Sequence, residues 1–565
     1  VFSTAAAMAA LRLLEESRPP YGVARIPAKI ALGLDWLVAR QNKDGGWGDT
    51  AKSNLRSTAC VWAVLRNEAT SAPKLKPAVE SSERWLKARL GDGGLTPSAL
   101  AVALQQECND DPALISATLA LCALSEGFDL DESAWKAIPA LAFESAAFST
   151  GTISSIASAA PTLISVGQLL HLRSPSPNPL RRFLRDAVRL RTLKKMEKMV
   201  SEDSGYFDHV PTTSFVLMGL VGSGLHSSPA IKPCMEFLIQ SQRRDGSWAV
   251  SGNLSIRLTS GALDALASPH FALRANDAHA WLLEQQTLHH GIGGWSWTSG
   301  GLSNVGDTAS ALLALRRVED FIAVRRSEQR HDAAVAGIKW LAALQNSDGS
   351  FATFGKAVKN SRYGVGTPEI TAQAIRALVA WQPELPSLRG LIAPALAKAQ
   401  DFLQKSQQTD GSWQSLWFGS EDAPNGQNPI FATSRVILAI AELGGAQNQA
   451  WTQPLQRAVT WLLDTQLPQG GWALRKDAPA TVEESALALE ALAAASATLR
   501  IDLKPGIDFL LGAVESGAWK RPAPLGLFYG RHWYSEQLYP ILLTVSALSR
   551  VERTACAKTV ASPDR

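Results

Sequence analysis

Apolar and polar positions along the 565-residue chain follow one recurring template. An aromatic residue and Leu open an apolar helical face, Gln follows five residues after the aromatic, and Asp-Gly-x-aromatic closes the unit. Copies run from Trp36 through Gln41 to Trp47, from Phe237 through Gln242 to Trp248, and from Trp281 through Gln286 to Trp295. Three more run from Trp340 through Gln345 to Phe351, from Phe402 through Gln407 to Trp413, and from Trp461 through Gln466 to Trp472. Degenerate copies lie at Trp85–Leu95 and Phe509–Trp519. The spacing predicts a helix ending near the Gln and a turn with Gly in the left-handed region. The closing aromatic is placed to pack over the helix end, where the Gln amide meets unsatisfied backbone groups. An Ala/Leu-rich helix follows most turns: Ser57–Leu65, Thr259–Ala267, Asp307–Leu315, Thr371–Ala380, Thr433–Leu443 and Glu483–Leu492. Strand signals are almost absent, so the pattern predicts an all-α repeat architecture, a solenoid or a closed α/α barrel.

One region departs from the template. No charge occurs between Glu144 and Arg173, a run longer than the roughly 20 residues of a spanning helix, yet Ser, Thr and Gly recur and Pro161 interrupts it. A segment rich in Lys and Arg follows, from Arg173 to Lys198. Two readings stay open: a buried helix followed by a solvated basic one, or an apolar patch ringed by positive charge that meets anionic lipid across 144–198. A spanning segment is not expected.

Composition narrows the classes. Apolar residues make up 46% of the chain and charged residues 19%, which allows a large core and excludes wholesale disorder. With 55 basic and 51 acidic residues, the charge is too balanced for a nucleic-acid binder. The five cysteines (Cys60, Cys108, Cys122, Cys234, Cys556) form no Cys-x-x-Cys or Cys/His cluster, so neither a disulfide framework nor a structural metal site is expected. Val1–Glu16 carries Arg12, Glu15 and Glu16 and has no apolar core with a cleavage site, so it does not read as a signal peptide. A cytoplasmic protein, or one peripheral on a membrane, is expected.

The Gln-x-x-Asp-Gly-x-Trp module resembles the QW motif of triterpene cyclases, and nearly the whole chain is similar to the squalene-hopene cyclase superfamily of class II terpene cyclases. The segment Gly291–Leu315 is similar to the stretch that carries the family's Asp-x-Asp-Asp acid, Pro522–Pro540 to its terminal active-site loop, and Asp44–Asn54 to its first barrel. The resemblance implies two α/α barrels, one inserted in the other, around a hydrophobic cavity. Residues 1–24 would form a helix packing with the C-terminal barrel, 25–225 the inserted barrel, and 226–565 the barrel with most repeats. It further implies an isoprenoid substrate, no cofactor and no metal, frequent monotopic attachment to membranes, and leaves a homodimer open.

The departures from the family pattern are specific. The acid motif reads Asn304-Val305-Gly306-Asp307, so the middle carboxylate that delivers the proton is Gly306. The family's tuning His stands as Gln373, in Glu369-Ile370-Thr371-Ala372-Gln373. Protonating an isolated alkene needs a strong acid, and one remaining carboxylate is a poor replacement. Asp307, Glu369 and His532 are the candidate catalytic acids; Asp307 and Glu369 also read as ordinary first-turn residues of helices. Glu483-Glu484 reads as helix capping. Trp297, Trp417 and Phe528 fall where cation-stabilising rings are expected. Arg257 replaces one such ring, and with Gln373, Asn304 and Ser535 completes the candidate substrate-binding set. An arginine is unfavourable beside a carbocation and useful beside a carboxylate or phosphate.

These features lead to two functions. One is a divergent terpene cyclase or isomerase taking a long, triterpene-type and functionalised isoprenoid, whose epoxide or allylic alcohol ionises more readily than an alkene. The other is a non-catalytic isoprenoid carrier on the same scaffold. A prenyl-diphosphate enzyme using Arg257 and Arg531 lacks a magnesium-binding acidic motif to support it.

Overall fold

The structure is a computed structural model. It describes residues 1–19, 22–48, 52–107, 112–125, 127–128, 132–144, 160–251, 254–267, 272–318, 328–354, 364–419, 426–475, 477–527 and 532–560. The chain divides into two compact units, Val1–Asn253 and Leu254–Arg565.

In the first unit, helices α1 (Phe2–Glu16), α3 (Leu55–Ala69), α6 (Pro112–Leu124), α8 (Ala160–Arg173) and α10 (Val210–Gly222) pack successively, and α10 returns to α1. Against this ring lie α2 (Ile26–Ala39), α4 (Lys76–Leu90), α5 (Pro97–Glu107), α7 (Glu132–Lys136), α9 (Pro179–Glu197) and α11 (Ile231–Ser241). The alanines of α1 let its neighbours approach closely, and Ala5 to Ala7, Met8, Ala10 and Leu11 are wholly buried. Helix α1 is part of the first unit's core, and that unit runs on to Asn253. Trp248 donates its backbone N–H to Thr4 Oγ1 at 3.0 Å, and Gln242 donates to the Lys29 carbonyl at 2.8 Å, which binds the Phe237–Trp248 module into the first unit.

The second unit alternates outer and inner helices. The inner ones are α12 (Ser255–Ala265), α14 (Val305–Val318), α16 (Pro368–Trp381), α18 (Pro429–Glu442), α20 (Val482–Ala495) and α22 (Leu538–Val560). Each packs on the next, and α22 closes onto α12, so the solenoid alternative gives way to a closed α/α barrel. Outside run α13 (Ala272–Glu284), α15 (Glu328–Leu344), α17 (Arg389–Ser406), α19 (Thr452–Asp464) and α21 (Lys504–Glu515). Two short hairpins, β1–β2 (Thr287–His289, Ile292–Gly294) and β3–β4 (Leu525–Leu527, His532–Tyr534), are the named strands among the described residues.

The repeated module has one geometry throughout. The indole N–H of Trp413 donates to the Leu403 carbonyl at 2.8 Å, and those of Trp47, Trp248 and Trp472 do the same to Leu37, Leu238 and Leu462. A hydroxyl on the next inner helix accepts from the aromatic's backbone N–H: Thr308 for Trp295, Thr371 for Phe351, Thr433 for Trp413, Ser485 for Trp472. The Gln amide then ties successive repeats together. Gln345 donates to Gly349 of its own turn and Ala395 of α17, and Gln407 to Gly411 and Pro454 of α19. These bonds satisfy carbonyls that helix and turn ends otherwise leave open.

The turn glycine answers two demands at once. Gly349 sits at φ +88°, and a Cβ there would lie 2.1 Å from the Lys398 carbonyl oxygen. Gly349→Ala is expected to cost about 2–4 kcal/mol through left-handed strain plus overpacking. Urea unfolding of the second unit checks this; an unchanged midpoint would refute the turn's role.

Candidate functional site

The second unit encloses a cavity of about 1210 Å³, counting the part open to solvent. It lies among the inner helices and the 523–525 segment before β3. Its wall is charged: Arg257 and Asp264 of α12, Asp307 of α14, Arg376 of α16 and Arg435 of α18 all line it, and α20 adds Glu483, Glu484 and Glu490. Phe418, Phe431 and Tyr539 are its aromatic members.

Asp307 is 1% exposed and is not the helix cap. Asn304 takes that position: its Oδ1 accepts the Asp307 backbone N–H at 2.8 Å, and its Nδ2 donates to Asp307 Oδ2 at 2.5 Å. The Asp307 carboxylate faces Arg257, whose Nε and Nη2 donate to its two oxygens at 2.6 and 3.1 Å, a fork geometry typical of strong pairs. Arg257 also donates to the Tyr539 hydroxyl at 3.3 Å. Burial opposes charge on this guanidinium, but Asp307 and Tyr539 more than offset it, so Arg257 holds its proton more firmly than usual. The pair links α12, α14 and α22 at the cavity wall.

The place of the missing middle carboxylate is filled. A Cβ on Gly306 would lie 3.1 Å from Gln373 Oε1, 3.4 Å from Ile370 and 3.5 Å from Asn304 Oδ1. A side chain at 306 would therefore press on the Gln373 amide, which would have to give way.

Glu369 is fully buried in the first turn of α16, which Thr367 caps. Its Oε1 accepts from Ser415 Oγ at 3.1 Å and from the backbone N–H groups of Leu416 and Trp417 at 3.2 and 2.8 Å. Burial raises its pKa against these bonds. Glu369 thus fixes the 415–418 loop and is not among the residues lining the cavity. That loop is stitched to β3, because Gly419 and Gly526 exchange N–H···O bonds of 3.0 and 2.8 Å.

The expected aromatic lining is rearranged. Trp297 and Trp417 stack edge-on against Phe354, at 5.7 and 5.4 Å between centroids, in a buried ladder away from the cavity lining. Within the cavity Phe418 and Phe431 lie 4.2 Å apart, with the Arg257 guanidinium 5.7 Å from the first ring and Arg435 5.4 Å from the second. Ring faces that would stabilise a carbocation are already occupied by cations. Ser535 is exposed, Phe528 and Arg531 lie outside the described residues, and only the backbone of His532 is described, in β4.

Beneath Arg257, a network ties the barrel together. Arg317 pairs with Asp264 and, at 2.9 Å, with Glu442; Arg376 donates to the same Glu442 at 3.0 and 2.9 Å. Ser546 donates to Glu490 at 2.9 Å. Among the described residues no His, Cys, Asp and Glu group could hold a metal ion.

Glu483 was missed by the capping reading. Thr481 caps α20, accepting the Glu484 N–H at 3.2 Å. Glu483 turns into the cavity, where Oε1 accepts the Ala523 N–H at 2.7 Å and Oε2 is buried without a hydrogen-bond partner among the described residues. Ser260 Oγ and Arg435 Nε, also of cavity-lining residues, share that state. No spacing in the sequence marks Glu483, because its position depends on the 523–525 segment some 40 residues later.

Rings of paired helices with these repeat contacts define a helical protein with the class II terpene cyclase fold. Residues 258–553, just over half of the chain, match the squalene-hopene cyclase C-terminal domain family, and the chain belongs to that family. A probable squalene–hopene cyclase of Sinorhizobium fredii is 25% identical over 328 residues, 50% of this chain and 47% of that protein. A copalyl diphosphate synthase of Streptomyces anulatus is 32% identical over 135 residues, 24% of this chain and 22% of that one. The chain therefore spans about half or less of these curated relatives. The solved ent-copalyl diphosphate synthase from Streptomyces platensis superposes with a TM-score of 0.55 at 19% identity, covering 98% of this chain and 95% of that one. No described helix is long and apolar enough to cross a membrane.

Proposed function

We propose that the protein is a class II cyclase-type isomerase that takes a long isoprenoid, of triterpene length, bearing an oxygen function at its reacting end. The observation that carries this reading is the cavity wall itself. Asp307 is committed to Arg257, and the polar atoms of cavity-lining residues left without a partner are donors and a carboxyl suited to an epoxide, alcohol or carbonyl oxygen. A plain hydrocarbon would leave Ser260 Oγ, Arg435 Nε and Glu483 Oε2 buried without partners, which costs about 1–3 kcal/mol each. Family membership supports proton-initiated cyclisation as the reaction type. Oxygen activation replaces the strong acid lost at Gly306, since a strained or allylic C–O bond ionises with a weaker donor.

The test is incubation of the full chain in detergent with squalene, oxidosqualene and hydroxylated squalene, followed by GC–MS of the extract. Conversion of an oxygenated member, with squalene untouched, is expected. Oxygenated ligands recovered bound and unchanged would support the carrier reading, and conversion of squalene alone would refute oxygen activation.

The same reading includes contact of the first unit with a lipid surface. On α9, Leu180, Phe183 and Leu190 are 75%, 71% and 71% exposed and share one face with Leu184 and Ala187, flanked by exposed Arg181, Arg182, Arg191 and Lys194. The opposite face, with Val188, Thr192, Leu193 and Met196, is buried. Apolar side chains rimmed by cations suit an anionic bilayer interface. Wild-type protein is expected to sediment with phosphatidylserine-containing vesicles, and Phe183→Glu/Leu190→Glu to lose at least about tenfold in binding. Equal sedimentation of both would refute this face as the contact.

A further inference from the structure

We propose that Glu483 is the proton donor of the second unit's cavity, passing the hydrogen on Oε2 to an oxygen of the isoprenoid that Ser260 and Arg435 hold in place. This rests on the isomerase reading above and assigns its acid.

The geometry selects Glu483 over the other carboxyls. Both Asp307 oxygens receive Arg257, so that group is an ion-pair partner. Glu369 lies outside the cavity lining, and Oε1 of Glu369 is bound by the 415–417 segment. Asp264 is paired with Arg317. Glu484 is held to α18 by Asn428 and Glu490 to α22 by Ser546, whereas Glu483 combines a cavity position, one oxygen fixed by the Ala523 N–H, and a second oxygen left over. Fixing Oε1 orients the carboxyl and leaves Oε2, buried at the cavity wall, as the oxygen free to carry the proton.

The surroundings favour the protonated form. Burial raises the Glu483 pKa, the Ala523 N–H lowers it in part, and neighbouring Glu484 raises it again, leaving it near 7. Across the cavity lie Arg257 and Asp264 on α12, Asp307 on α14, and Arg376 on α16. Arg435 on α18 and Tyr539 on α22 complete the facing groups, with Glu490 further along α20 itself. Most of these charges are internally compensated: Arg257 by Asp307, Asp264 by Arg317, Arg376 by Glu442. Arg435 is different. Burial pushes its pKa down against the pull of Glu490, and its Nε has no partner among the described residues. Ser260 is 1% exposed with its hydroxyl equally unpartnered. Two donors and one carboxylic acid around one space make a site for a neutral oxygen acceptor.

The step balances as an isomerisation. The proton leaves Glu483 Oε2 for the oxygen of an epoxide, and one C–O bond breaks with its electrons going to that oxygen, which stays on the substrate as a hydroxyl. The neighbouring alkene supplies two electrons to the carbon left behind, forming the new C–C bond. The final cation gives a proton to water at the open side of the cavity, and the same water pool returns one to Glu483.

The experiment uses the full chain and the panel named above. Glu483→Gln keeps an oxygen for Ala523 and nearly the same volume, so circular dichroism is expected to match the wild type. Its conversion of the oxygenated substrate is expected to fall at least about 100-fold. In the wild type, turnover is expected to fall about tenfold per pH unit above about pH 7, as the acid form is lost. Conversion by Glu483→Gln equal to wild type would overturn Glu483 while leaving the isomerase reading standing. If that variant does not fold, a wild-type rate that stays flat between about pH 6 and pH 9 overturns the proposal. No conversion by wild type of any panel member overturns the isomerase reading, and this acid with it.

Discussion

Arg257→Met is expected to lower the stability of the second unit by about 3–5 kcal/mol, because it strands a buried carboxylate. Asp307 is 1% exposed, and both its oxygens are engaged by the Arg257 fork. Without the guanidinium, Asn304 Nδ2 is the donor left to that carboxylate among the described residues. Removing Asp307 as well, in Arg257→Met/Asp307→Asn, is expected to recover most of the loss, since replacing both members of a buried pair is often neutral. Urea unfolding read by near-ultraviolet circular dichroism checks the pair of midpoints. A single variant as stable as wild type, or a double variant as unstable as the single, would show that Asp307 is not held in this pair. The result also bears on chemistry: a residue whose loss is rescued by deleting its partner acts as a clamp of α12, α14 and α22.

Trp413→Ala is expected to cost a similar amount by another route. The ring is wholly buried, so truncation opens a cavity worth about 3–5 kcal/mol. It also removes the 2.8 Å donor to the Leu403 carbonyl near the end of α17. Trp413→Phe separates the two effects: it keeps most of the ring and loses the N–H, for about 1–3 kcal/mol. The expected order of unfolding midpoints is wild type, then Phe, then Ala. Equal midpoints for Phe and Ala would mean that packing of the six-membered ring contributes little at this position. The same ordering is expected for Trp472, whose indole donates to Leu462 at the same distance.

Much of the barrel was legible because its signals are local. The five-residue step from aromatic to Gln, the Asp-Gly turn and the Ala/Leu-rich helix after it each lie within about one helical hairpin, and their hydrogen bonds follow from helix-end chemistry. The boundary between units was not legible, because it rests on Thr4 meeting Trp248 and Lys29 meeting Gln242, pairings more than 200 residues apart that no periodicity encodes. The site was half legible. Arg257, Asn304, Asp307 and Gln373 do converge, as their places in the motif suggested, yet the roles differ: Asn304 caps, Arg257 and Asp307 neutralise each other, and Gln373 fills the space beside Gly306. Trp297 and Trp417 were read as cavity rings and instead stack on Phe354, whereas Phe418, one residue further on, turns inward. One residue along an irregular loop reverses the direction of a side chain, and loop conformation here is set by Glu369 from another helix. Glu483 looked like a first-turn acid because that is the commonest use of Glu at such a position.

The measurement that reaches the central claim most directly is the mass of the product formed from oxidosqualene in ¹⁸O-enriched water. The account predicts an isomer: the same elemental composition as the substrate, fewer double bonds, one or more new rings, and no ¹⁸O taken from solvent. Substrate recovered intact, or a product heavier by labelled water, would contradict it.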